Sequence, residues 1–93
     1  MTFSDVLEDF EYIIKEKNNG KIKITKNCGK VCEIVLIFVK ETKELLGFVK
    51  PTSLIDGEDQ LSHLYSMFKV MKSDGEKLAD MFGFKLVLGY GRN

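Results

Sequence analysis

Three sets of residues in this 93-residue chain have side chains that could do chemistry. Cys28 and Cys32 form a C-x3-C pair, His63 is the single histidine, and Lys21, Lys23, Lys26 and Lys30 crowd into one short stretch. A thiolate beside an imidazole is a nucleophile with its base, and two thiolates with an imidazole are three potential zinc ligands. Both patterns are incomplete. Structural zinc sites use a closer C-x2-C-type knuckle and a second ligand pair, and no residue is spaced to orient His63 as a base. The expectation is no catalytic residue, no metal and no cofactor, with His63 at the margin of a helix stripe. Two cysteines are too few for a disulfide framework, so both are expected as reduced thiols, as in a reducing compartment.

The lysines admit two readings. They could contact phosphates or carboxylates, or they could blunt a solvated edge strand against aggregation. Arginine, the usual base-reading residue, occurs once, as Arg92, and basic and acidic residues balance at 14 each. That balance argues against a protein built to coat nucleic acid. Gly89-Tyr90-Gly91 begins like a dinucleotide fingerprint, but Asn93 follows with no expected helix N-terminus to hold a pyrophosphate. Met81-Phe82-Gly83-Phe84-Lys85 resembles the helix-to-strand passage of GNAT-type acetyltransferases over that short stretch alone. The glycine-rich acyl-CoA loop of that family is missing, and Gly83 reads equally as a helix stop.

The elements that must position these residues follow from periodicity. Phe3, Val6, Leu7, Phe10, Ile13, Ile14 and Lys17 fall at helical spacing, with Thr2 and Asp5 in capping-box register, so a helix is expected over 3–17, ended by Asn18-Asn19-Gly20. From Lys21 the period becomes two, with turn signals at Asn27 to Lys30 and at Glu41 to Glu44. Residues 21–50 therefore read as a three-stranded antiparallel meander that Pro51 ends. Asp56 can cap a second helix with Leu61, Leu64, Tyr65, Phe68 and Met71 as its apolar stripe; Ser73-Asp74-Gly75 should break or bend it before a short helix ending near Gly83. Phe84 to Tyr90 alternate as a last strand. The resulting class is α+β in one domain, 1–93, ordered α-β-β-β-α-β. Its sheet is four-stranded and mainly antiparallel, with helices packed on one face.

The run Val35-Leu36-Ile37-Phe38-Val39 is apolar at every position, unlike a strand with one face in water. If Ile22, Ile24, Ile34, Leu36, Phe38, Leu46, Phe48, Phe84, Leu86 and Leu88 face the helices, the other face carries Val35, Ile37, Val39, Leu45, Val49 and Val87, with Lys21 and Lys23 beside them. Such a patch marks an interaction surface unless a helix crosses to cover it. These eight residues are the expected partner-binding set, in a homodimer or against a target protein.

With 44% hydrophobic and 30% charged residues the chain is globular. The acidic start and the lack of a long uncharged run point to a cytoplasmic protein with no membrane span. Thirteen of the basic residues are Lys, Ala79 is the single alanine and Trp is absent, a composition typical of AT-rich coding. The expected function is a small non-catalytic protein-binding module, such as a phage or mobile-element inhibitor of an unidentified host defence protein. The alternative is a nucleotide or nucleic-acid binder using the Lys-rich first strand.

Overall fold

The structure, a computed structural model, describes residues 2–28, 32–51 and 58–89. Its elements are α1 (Phe3–Asp9), β1 (Ile13–Asn18), β2 (Lys21–Cys28), β3 (Cys32–Val39), β4 (Glu44–Pro51), α2 (Glu58–Phe82) and β5 (Lys85–Leu88). The chain is α+β, with one five-stranded sheet in the order β1-β2-β3-β4-β5. Neighbours β1 to β4 are antiparallel, and β5 joins β4 in parallel through the α2 crossover. The expected meander is present and gains a strand on its outer side.

That extra strand comes from the sequence expected to continue the first helix. The capping box forms as read: the Asp5 N–H donates to Thr2 Oγ1, and the Thr2 N–H donates to Asp5 Oδ2. The helix then stops at Asp9 rather than at residue 17. Glu11 enters the left-handed region at φ 66°, and the Tyr12 N–H donates to the Leu7 carbonyl at 2.8 Å. This turn sends Ile13 and Ile14 into an extended strand, which suits their β-branched side chains. Asn19-Gly20 is the tight turn between β1 and β2, not a helix end, with Gly20 at φ 78°, where a side chain would be strained.

The second helix departs from expectation in the opposite sense: α2 runs unbroken through Ser73-Asp74-Gly75. Gly75 is needed for close packing there. A Cβ on it would lie 2.8 Å from Leu86 Cδ1, so the missing side chain lets the helix settle onto β5. Met71 sits over Gly47 of β4 in the same way, 2.8 Å from where a Cβ would stand. Asp56 and Tyr90 lie outside the described residues, as does the side chain of Leu61. Gly83, at φ 73°, ends α2 as the sequence suggests.

The core lies between the helices and one sheet face. Ile24, Ile34, Leu36, Phe38, Leu45, Met71 and Leu78 are buried there with Val6 and Leu7 of α1. Phe3, Phe82 and Phe84 pack edge-to-face around Phe38 or one another, with centroids 5.2–5.9 Å apart. Both helices touch this same face. The sequence placed β2, β3 and β5 correctly but inverted β4. Phe38 stands opposite Leu45, Leu36 opposite Gly47 and Ile34 opposite Val49, so Leu45 and Val49 belong to the helix side while Leu46 and Phe48 point away. The cause is the four-residue turn Lys40 to Lys43, with Lys43 at φ 60°; a register shift of one residue exchanges the two faces of a strand.

Candidate interaction surface

The face turned away from the helices is assembled from alternate residues of all five strands. Strand register aligns Ile13, Thr25, Val35 and Phe48 in one row, Lys23, Ile37, Leu46 and Val87 in the next, and Lys21, Val39, Glu44 and Lys85 in a third. Ile37, Val39, Leu46, Phe48 and Val87 are half-buried, and Ile13 is 56% exposed. Among the described residues no helix packs on this side. A hollow of about 210 Å3 beside Ile37, bounded by Glu16, Asn18, Lys21 and Lys23, indents it.

The expected partner-binding residues divide into three groups. Ile37, Val39, Val87, Lys21 and Lys23 lie on this face as anticipated. Val35 is on it but wholly buried, as is Thr25 beside it at 2% exposure, so the accessible apolar strip runs along the Ile37 and Leu46 row and through Phe48. Leu45 and Val49 are corrected to the other side: Leu45 is fully buried in the core, and Val49 packs against that core. Leu46 and Phe48 take their places. Period-two reading supplied the alternation in β4, but its phase depends on the preceding turn and was not legible.

Charge at the rim is mixed. Lys23 Nζ lies 3.6 Å from Glu16 Oε1, Lys50 stands opposite Glu33, and Lys85 stands opposite Glu44. The four clustered lysines do not form one patch. Lys21 and Lys23 are on the helix-free face, whereas Lys26 reaches the helix side, where its ammonium donates to Asp74 Oδ2 at 2.8 Å. Lys30 lies outside the described residues. β1 itself is exposed along its whole length and bears Lys15 and Lys17, the kind of charge that discourages edge-to-edge pairing.

Cys32 is fully buried on the helix side of β3 and stands opposite Cys28 in the β2–β3 register. His63 is part-buried on α2. Among the described residues, no three His, Cys, Asp or Glu side chains converge as a metal site, and no helix is long and apolar enough to cross a membrane. One polar constellation has no counterpart in the sequence pattern: Tyr12 and Lys26 meet on Asp74, with the Lys26 ammonium also 4.5 Å from the Tyr12 ring centroid. Its members are 62 and 48 residues apart, and no local spacing announces it. Comparison with known proteins gave no match: no family model, no curated protein and no solved structure matches the chain.

Proposed function

We propose that the chain is a small non-catalytic protein-binding module that works through the helix-free face of its sheet, with a second copy of itself as the occupant. The observation that carries this reading is the apolar strip of Ile37, Leu46, Phe48 and Val87, which no helix among the described residues covers. An apolar centre with a polar rim is the usual anatomy of a protein interface. The rim charges favour a second copy. A two-fold interface sets a patch against itself, so a rim of one sign would repel, whereas here each of Lys23, Lys50 and Lys85 neighbours a glutamate. The division of Lys21 and Lys23 from Lys26 between the two sheet faces keeps these three lysines of the first meander strand from meeting a phosphate backbone together.

Composition extends the proposal to an inhibitor carried by a phage or mobile element. Its host protein would then compete with the second copy for the same strip. Sedimentation velocity tests the interface directly. Wild type should dimerise in the micromolar range, since the strip is half-buried before any association. Ile37→Asp should be monomeric with an unchanged circular dichroism spectrum. A wild-type monomer throughout that range, or an Ile37→Asp chain that is unfolded, would remove the second copy as occupant.

A further inference from the structure

On the helix side of the sheet, at the end where α2 finishes and β5 begins, a groove of about 350 Å3 remains open. Phe3, Ile22, Phe38, Phe82 and Phe84 form its walls, and Lys17 and Lys40 stand at it. We infer that this groove binds a small amphiphilic carboxylate, its apolar tail among the phenylalanines and its anionic head between the two lysines. The site is separate from the proposed interface, because Ile22 and Phe38 point to the opposite side of the sheet from Lys23 and Ile37.

Size is the first argument. Interiors close to native packing density leave few voids larger than a water molecule, whereas this volume falls at the lower end of small-ligand pockets. The wall is also incompletely packed: Phe38 is buried, but Phe3, Phe82 and Phe84 keep part of their surface accessible. Those rings are held edge-to-face rather than stacked shut. Apolar surface of this kind gains from any tail that displaces its water.

Charge selects the class of ligand. Lys17 and Lys40 are both exposed, and among the described residues neither forms an ion pair. Among the described residues no acidic side chain lines the groove, and a third ammonium, that of Lys43, lies 5.6 Å from the Phe84 ring centroid. An organic cation, which aromatic faces alone would accept, meets three like charges here. A carboxylate meets opposite charge. The Lys40 N–H donates to the Gly20 carbonyl at 2.8 Å, which fixes the backbone from which that side chain extends. Among the described residues no hydroxyl or thiol lines the groove, and the inference is one of binding.

An NMR titration with octanoate, with octanol and octylammonium as controls, tests both halves. Octanoate should shift the resonances of Phe3, Ile22, Phe38, Phe82 and Phe84 and not those of Ile37 or Leu46, with a dissociation constant in the submillimolar to millimolar range. Replacing both lysines, Lys17→Glu with Lys40→Glu, should weaken octanoate about tenfold while leaving octanol unchanged; both positions are exposed, so the fold should be retained. Absence of shifts at the phenylalanines overturns the site. Equal affinity for octylammonium, or an unchanged octanoate affinity in the double variant, overturns the carboxylate assignment. The oligomeric state is read independently and does not bear on either result.

Discussion

The Tyr12 hydroxyl and the Lys26 ammonium both donate to one oxygen of Asp74, at 2.9 and 2.8 Å. Three segments distant in sequence, the entry to β1, the second half of β2 and the second half of α2, are tied at that atom. Lys26 and Asp74 keep only 19% and 15% of their side-chain surface, so water supplies little replacement for a lost partner. Asp74→Asn should therefore lower stability by about 1.5 to 3 kcal/mol, the range for hydrogen bonds to charged groups. Tyr12→Phe should cost about 0.5 to 1.5 kcal/mol. Urea midpoints for both variants check this, and an Asp74→Asn midpoint equal to wild type would show that the junction is not a structural tie.

Leu45 and Leu46 are neighbours in sequence with opposite fates. Leu45→Asp places a charge in the core at a fully buried position and should leave the chain unfolded. Leu46→Asp puts the same charge on the helix-free face and should keep the fold while abolishing self-association. Circular dichroism and sedimentation of the pair test the β4 register itself. Exchange of the two outcomes would restore the inverted register read from the sequence.

At Gly47 and Gly75 the missing Cβ lets the sheet and α2 pack closely. Gly75→Ala would ordinarily help a helix by about 1 kcal/mol. Here the new methyl meets Leu86 at 2.8 Å, and overpacking typically costs about 1 to 3 kcal/mol, so the net change should be zero or unfavourable. Gly47→Val meets both Met71 and Leu36 and should destabilise by about 2 kcal/mol or more. Thermal midpoints decide it, and a stabilised Gly47→Val would mean that α2 sits further from β4.

Cys32 is fully buried on the helix side of β3. Cys32→Ser should cost about 1 to 3 kcal/mol, because burying a hydroxyl strips more water from it than burying a thiol. Chelator treatment should leave the melting curve unchanged. A fall in melting temperature with chelator would point to a metal and displace this account of the thiol.

How much of this was readable in advance follows from the range of the physics involved. The alternation of Ile22 and Ile24, of Ile34, Leu36 and Phe38, and of Leu86 and Leu88 was set by the sequence alone, because successive side chains of a strand alternate between its faces whatever surrounds them. The Thr2 cap and the Gly83 stop were equally local, each needing only residues within a turn of itself. Tertiary structure decided the rest. Ile13 and Ile14 suit a helix stripe or a strand by spacing, and the strand won because β2 offers them a paired edge through the Asn19-Gly20 turn. Ser73-Asp74-Gly75 looks like a break, yet the helix continues because Gly75 lets it close on Leu86 and Asp74 meets Tyr12 and Lys26 across the core. The phase of β4, and with it the assignment of Leu45 to the core and Leu46 to the open face, hung on a single turn. No periodicity encodes it, since only the pairing of β3 with β4 can tell one face from the other.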